Sequence, residues 1–416
     1  MGDHYDALET REPGEREEVQ FEQLRSLLAW APDQARGLAQ HLDGIDAGAI
    51  GDRAALARLP VLRKDDLIER QRADPPFGGL TTRPPADFSN LFQSPGPIYE
   101  PGRTDIADWW RFARALHAAR IRETDFVLNA FAYHLTPAGH MLESGIRALG
   151  ATVLAGGVGN TEAQVAAAAH VGVTAYVGTP DFLNVMLEKA EEIGADLRSI
   201  DRAFVSGGPL FPALREGYAA RGISCLQGYG TADLGLIAYE TMGESGPNPG
   251  MVVDEGVIVE IVRPGTGDPV PDGEVGEVLV TALNEDYPLI RFATGDMSAV
   301  IPDPSPCGRT AMRIKGWMGR ADQTTKVRGM FVRPGQIADA LRRHPEIGHA
   351  RLVISREGGT DRMVLKAEAD TTDPALAKAV EATLRDVLKL RAEVELVEVD
   401  SLPRDGRVID DTRKFD

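Results

Sequence analysis

The chain has 416 residues, 43% hydrophobic and 26% charged, the make-up of a soluble globular protein with two or three domains rather than one core. A net charge of −18 excludes a surface built to hold nucleic-acid backbones, and no run of about twenty apolar residues exists to cross a membrane. Two cysteines, Cys225 and Cys307, exclude a disulfide framework. They fit a reducing cytoplasm, as does an acidic N-terminus, MGDHYDALETREPGEREE, without the apolar core of an export signal.

The first eighty residues read as helices with polar connections, such as Glu15–Trp30 and Arg53–Leu59. Pro75 and Pro76 open a predicted loop that continues through Pro84, Pro85, Pro95, Pro97 and Pro101. A helix with Trp109, Phe112, Ala113 and Leu116 on its apolar face follows, with Trp109 and Trp110 at its core and boundary. Then short apolar strands alternate with amphipathic helices. The strands are Phe126–Phe131, Thr152–Ala155, Ala175–Val177, Ala203–Ser206 and Ile223–Gln227; the helices are Ala138–Leu149, Glu162–Val171, Phe182–Ile193 and Pro212–Arg221. This grammar predicts βαβ units and a mainly parallel sheet covered on both faces.

Beyond Tyr229 the pattern becomes antiparallel or barrel-like. Strands are expected at Gly256–Arg263, Glu274–Leu283, Leu289–Phe292 and Ser298–Ile301, with Pro264-Gly265 and Asp272-Gly273 as turns. The last segment predicts a small α+β domain: hairpin, helix Pro334–Arg343, strands Arg351–Ser355 and Met363–Glu368, helix Pro374–Leu388 and strand Val394–Val399. The expected fold class is therefore α/β, with a large N-terminal domain (1–321) and a small C-terminal domain (322–416).

Four segments carry candidate chemistry. Leu226-Gln-Gly-Tyr-Gly-Thr-Ala-Asp233 follows a sheet strand, where open α/β sheets place their ligands. Its glycines allow close backbone approach, Tyr229 offers a flat face for a base, and Asp233 an oxygen for Mg²⁺; an ordinary Gly-rich turn is the plainer alternative. In Arg291-Phe-Ala-Thr-Gly-Asp296 a carboxylate after a tight turn suits a vicinal diol, or simply caps a β-turn. Gly319–Gly329 lies within Arg309–Arg333, which carries seven basic residues and one acid, Asp322. That local charge of +6 suits a small polyanion or an outward-facing hairpin equally. Leu402-Pro-Arg-Asp-Gly-Arg-Val-Ile-Asp410 reads as a polar loop or a solvated tail.

In this order and spacing the segments resemble the adenylate-forming superfamily of acyl- and aryl-CoA ligases, within it the phenylacetate–CoA ligase branch. The resemblance runs from about Phe77 to the end and is most specific in GWMGRADQTTKVRGMFVRPGQ (Gly316–Gln336) and YPLIRFATGD (Tyr287–Asp296). It implies a two-step activity in which ATP and a small carboxylic acid give acyl-adenylate and pyrophosphate, after which the acyl group passes to CoA. A small mobile C-terminal domain is implied to rotate between the steps. By motif, Gly207, Gly208 and Pro209 of SGGPL, with Gly228, Tyr229, Gly230 and Thr231, would line the nucleotide. Asp233 would face Mg²⁺, Asp296 and Arg320 would hold the ribose, and Asp322 would be the hinge. Lys326 and Arg328 would approach phosphate or CoA, with Lys326 and Arg407 as catalytic cations. Tyr133 and His134 fall where the family builds its acyl pocket, and a structural role for His134 is the open alternative.

Three departures from the family pattern stand out. The phosphate loop is Phe92-Gln-Ser-Pro-Gly-Pro-Ile-Tyr-Glu-Pro-Gly-Arg103; it keeps Ser94 and Gly96, but its three prolines donate no N–H, so Arg103 is expected to supply charge. The usual Thr-Glu after Tyr-Gly is Ala232-Asp233, which moves Thr231 one place early. Arg407 stands where the family has a lysine, exchanging a flexible point donor for a planar fork. Cys307 alone cannot build a cysteine zinc cluster, so no structural zinc is expected, and Cys225 in its strand is expected to be buried and inert.

The sequence thus predicts an AMP-forming acid–CoA ligase for a small aryl or similar acid. Its partners would be ATP, CoA and the acid, with no nucleic acid or membrane and with a homodimer left open. One alternative acceptor class is a carrier protein or an amine, or activation of nitrite instead of an acid; another reading is a nucleotide- or acyl-binding protein without turnover.

Overall fold

The computed structural model describes residues 4–244, 246–263, 265–321, 325–357, 360–399, 401–402 and 408–413. The chain divides into two compact units, 1–318 and 319–416.

In the first unit a nine-stranded sheet forms the frame. Phe126–Asn129, Thr152–Ala155, Ala175–Gly178, Arg202–Val205 and the start of Ser224–Thr231 lie parallel, in the spatial order 152–155, 126–129, 175–178, 202–205, 224–231. The helices between them are Ala138–Ala148, Thr161–Val171, Pro180–Ile193 and Pro212–Ala220. Two of these open on proline, whose fixed φ suits a first turn and whose missing N–H is not needed there. The helices cover both faces, so Val127, Leu128, Tyr176, Val177 and Phe204 are fully buried. After Thr231 the chain reverses into Gly235–Tyr239, and the remaining strands of the sheet run antiparallel.

Leu62–Arg63, Phe292–Ser298, Gly276–Ala282 and Val257–Val262 form a second sheet in that order. Among the described residues its outer strands do not pair with each other, so it is an open four-stranded sheet, and its strands 257–262, 276–282 and 292–298 are antiparallel, the first of the two forms that the sequence allows. The Thr294-Gly-Asp296 segment also differs from expectation. Instead of a turn between two strands it lies inside Phe292–Ser298, where pairing with Gly276–Ala282 shifts register and Gly295 adopts φ +71°. The bulge re-aims the Asp296 side chain without ending the strand.

Two further corrections concern the segment from Pro75 to Leu116. Asn90–Ser94 and Ile98–Gly102 pair as an antiparallel hairpin, with Ser94 opposite Ile98 and Pro95-Gly96-Pro97 as its turn. Proline at a turn or at an edge strand costs no ladder bond, so its density did not preclude strands. The helix predicted around Trp109 begins only at Ala113. Asp108 and Arg111 have positive φ, and the Asp108 carboxylate caps Ala113 N at 3.0 Å. Trp109 and Trp110 therefore precede the helix, with Trp110 buried against Phe92.

The second unit is a small α+β body. The hairpin Thr325–Val327/Met330–Val332 leads to helix Pro334–Leu341, and Ile347–Glu357 pairs antiparallel with Thr360–Ala369. Glu393–Val397 and Ile409–Asp411 add parallel strands at the two edges, and helix Pro374–Leu388 buries Val380, Leu384 and Leu388. Among the described residues no helix is long and apolar enough to cross a membrane.

Candidate functional site

The carboxyl ends of the parallel strands bring several predicted residues together. Ser206 Oγ donates to the Gly228 carbonyl at 2.9 Å, and Gln227 Nε2 donates to the Gly208 carbonyl at 2.9 Å. The turn holding Gly207, Gly208 and Pro209 is thereby laced to the strand holding Gly228, Tyr229 and Gly230. A side chain at Gly228 would run into the Phe204 ring, and a Cβ at Gly230 would stand 2.6 Å from the Gly235 carbonyl oxygen. These two glycines are required by packing whatever else they do. Thr231 Oγ1 accepts from Leu234 N at 3.2 Å and so shapes the turn that presents Asp233.

Tyr229 and Asp296 meet. The Tyr229 hydroxyl donates to Asp296 Oδ2 at 2.9 Å, while Trp317 Nε1 donates to Oδ1 at 3.0 Å. Asp296 is only 8% exposed. Two directed donors hold this carboxylate in one rotamer, and an ionised carboxylate is an acceptor only. Trp317 has no counterpart in the sequence-level site, because nothing in the spacing ties it to Asp296.

Asp233 lies in a buried charged cluster. Its side chain is fully buried and Lys64 Nζ stands 3.0 Å from Oδ2, yet neither oxygen receives a well-directed hydrogen bond. Lys64 opens helix Lys64–Ala73; two turns later Gln71 exchanges hydrogen bonds of 2.7 and 2.8 Å with the Tyr99 backbone and pins the 98–102 strand. Next to Tyr99, Glu100 is 1% exposed and accepts from Ser94 Oγ through one oxygen. Burial first, then the charge of Asp233, pushes the Glu100 carboxyl up to about 8, against the pull of Ser94 and Lys64. Carboxylate oxygens so short of donors suit a cation, and the predicted Mg²⁺ fits at Asp233 on those grounds. Among the described residues no group of three or more His, Cys, Asp or Glu side chains could hold a metal.

At the end of the 126–129 strand, Asn129 Nδ2 donates to the Tyr133 hydroxyl and to the Gly139 carbonyl, both at 2.8 Å. His140 packs against Tyr133 and Phe92, ring centres 5.2 and 5.3 Å away. Phe131 faces Gly207, whose Cβ would touch its ring at 3.6 Å. Burial, then the nearby Glu143, raises the Tyr133 phenol above its ordinary range, so it stays a neutral donor. His134 is exposed, whereas His140 is half-buried against those rings.

The family model of AMP-binding enzymes matches residues 111–283, and that of the AMP-binding enzyme C-terminal domain matches 329–412, together more than half of the chain. The chain belongs to the AMP-binding enzyme family. It is 28% identical over 376 residues to a phenylacetate–coenzyme A ligase of Thermus thermophilus, covering 87% of this chain and 83% of that protein. It is 26% identical over 424 residues to the phenylacetate–coenzyme A ligase of Escherichia coli K12, covering 96% and 94%. A crystal structure of 2-hydroxyisobutyryl-CoA ligase in complex with 2-HIB-AMP and CoA superposes with a TM-score of 0.82 at 26% identity, covering 98% and 92%.

In this AMP-binding enzyme the basic stretch 309–333 is divided between the units. Arg309 is buried against Glu9, with Nε 2.5 Å from Oε1, and Arg313 is spent on the carbonyls of Pro249 and Asp303 at 2.7 Å. Neither is presented for a polyanion. In the second unit Lys326 Nζ lies 5.7 Å from the Phe331 ring centre, Arg328 donates to the Asp361 carbonyl at 3.0 Å, and Arg320 is half-buried. Asp322 and Arg407 fall outside the described residues. Arg103 binds Asp105 at 2.8 Å and Asp286 at 3.3 Å, so its charge is partly matched already.

Proposed function

We propose that the chain activates a small carboxylic acid with ATP and passes the acyl group to CoA. An acid oxygen attacks the α-phosphorus of ATP, the bond to the β-phosphate breaks, and pyrophosphate leaves. The CoA sulfur then attacks the acyl carbonyl carbon and AMP leaves, with the thiol proton going to solvent. The observation that carries this reading is likeness to CoA ligases along nearly the whole chain, at closely matched lengths.

Asp296, oriented by Tyr229 and Trp317, accepts from the ribose hydroxyls and fixes the nucleotide relative to the sheet ends. Phe131, beside the Gly207 turn, and the Tyr133–His140 ring pair offer aromatic surface, which favours a flat, apolar acid such as an aryl acid. Asp233 holds Mg²⁺, which when bound offsets phosphate charge. Arg320, Lys326, Arg328 and Arg407 supply cations from the smaller unit, whose boundary hinge is Asp322. The enzyme works in the cytoplasm, consistent with its two unbridged cysteines.

The test is pyrophosphate release across a panel of aryl and short hydroxy acids, with and without CoA, together with mass detection of the thioester. Acid-dependent pyrophosphate and a CoA thioester are expected. Acid-dependent pyrophosphate without any thioester would move the acceptor to another nucleophile, and no turnover despite ATP binding would refute catalysis.

A further inference from the structure

Two carboxyls from distant parts of the chain, Glu100 and Asp233, are buried in the first unit, and their oxygens are short of donors. Glu100 comes from the 98–102 strand and Asp233 from the turn after Thr231. Gln71 pins that strand to the helix carrying Lys64, whose Nζ stands 3.0 Å from Asp233 Oδ2, and burial, then the charge of Asp233, raises the Glu100 carboxyl. Glu100 Oε2 has no hydrogen-bond partner, and neither do Asp233 Oδ1 and Oδ2. Tyr287 is buried as well, and after that burial the charges of Asp233 and Glu100 help to raise its phenol. Burying such a pair without donors is unfavourable unless a proton or a cation serves them. The one cation that the described residues place there is the Lys64 ammonium, at 3.0 Å from a single oxygen and with its own side chain 28% exposed. Lys64 therefore has solvent on one side into which its flexible stem can withdraw.

We propose that Glu100 is a second protein ligand of a divalent-cation site shared with Asp233, and that Lys64 is the resident counter-cation which the metal displaces. The proposal rests on the reading of Asp233 as metal-facing and adds a ligand that the motif spacing does not point to. Magnesium needs no more than one or two protein carboxylates, because waters and substrate phosphates complete its shell. Ser94 serves to orient Glu100: its hydroxyl occupies Oε1 and leaves Oε2 buried without a donor. This residue of the proline-rich phosphate loop thus acts on a carboxylate. A loop with few N–H donors is thereby compensated by a cation held more firmly beside it.

The test is direct Mn²⁺ binding, followed by electron paramagnetic resonance of the free ion, to the full-length chain at fixed pH with and without α,β-methylene-ATP. Wild type, Glu100→Gln, Asp233→Asn and Lys64→Met are compared, with circular dichroism to confirm folding. Glu100→Gln, nearly isosteric, is expected to weaken Mn²⁺ at least tenfold, Asp233→Asn to abolish the site, and Lys64→Met to tighten it several-fold. Lys64→Gln replaces Lys64→Met if the latter does not fold. In each folded variant the Mn²⁺-induced rise in melting temperature should follow the same order. Unchanged Mn²⁺ affinity in Glu100→Gln, beside a weakened Asp233→Asn, would overturn the second ligand and leave Asp233 as metal-facing. Indifference of both variants, or no Mn²⁺ binding by wild type in either arm, would overturn the site as a whole.

Discussion

Replacing Asp296 should separate nucleotide recognition from folding. The carboxylate is 8% exposed and takes the Tyr229 hydroxyl at 2.9 Å and the Trp317 indole at 3.0 Å. Each bond to an ionised acceptor contributes about 1.5–3 kcal/mol. Asp296→Ala strips both donors of that partner at once, and a loss of about 3–5 kcal/mol of stability is expected, since the two terms do not add fully. Asp296→Asn is the finer probe. The Tyr229 hydroxyl can turn to accept from the new amide, while the indole, which only donates, keeps the carbonyl oxygen. The variant should fold with a loss of about 1 kcal/mol. Its neutral amide, with one oxygen already engaged, should then weaken ATP and AMP binding by about 1.5–3 kcal/mol, or roughly 10- to 150-fold in Kd. Calorimetric titration with AMP and ATP, alongside urea unfolding monitored by Trp fluorescence, measures both quantities. Nucleotide affinity equal to wild type in folded Asp296→Asn would refute the assignment of Asp296 to the ribose.

Arg291, at 2% exposure, grips Glu260 through two 3.0 Å bonds and the carbonyls of Ala57, Leu59 and Gly267; Arg291→Met should cost about 3–5 kcal/mol in urea unfolding by leaving Glu260 buried alone, and a loss under about 1 kcal/mol would contradict that reading. The thiols should differ sharply. Burial pushes Cys225 up to about 12, whereas at Cys307 burial is outweighed by hydrogen bonds from Ser305, Thr241 and Arg309, which hold it at about 7. Native protein at pH 7.5 should therefore show one reactive thiol whose alkylation slows as pH falls through 7, while Cys225 reacts only on unfolding; two equal rates would refute this. Arg407→Ala should cut pyrophosphate release steeply while sparing thioester formation from preformed acyl-adenylate, and intact release would remove Arg407 from the adenylation step. Asp322→Pro, which fixes φ at the proposed hinge, should impair thioester formation more than adenylation, and equal loss of both would place the hinge elsewhere.

The alternation of apolar strands with amphipathic helices from Phe126 to Gln227 is a local signal, since each strand of a covered parallel sheet must be apolar over its own few residues. Five strands and four helices there were legible for that reason; the segments around Tyr229, Asp233 and Asp296 stood out instead by their residue types, and the fold brings Tyr229 to Asp296. What the sequence could not settle depends on which distant residue meets which. The prolines from Pro75 to Pro101 read as a loop, but a partner strand made a hairpin of them because proline fits its turn and its edge. The Thr294-Gly-Asp296 segment read as a turn, yet Gly276–Ala282 opposite it made it a bulged strand. The seven basic residues from Arg309 to Arg333 read equally as a polyanion seat or an outward-facing hairpin, and Glu9, some three hundred residues earlier, takes Arg309 out of either. Sequence alone determined the periodicity of the elements and the residue types at the motif positions, because both are written in neighbouring residues. Only tertiary contact decided that Trp317 orients Asp296, that His140 packs on Tyr133 and Phe92, and that Lys64 meets Asp233. Charge, burial and hydrogen-bond satisfaction are properties of pairs, and those pairs exist only once the chain has folded.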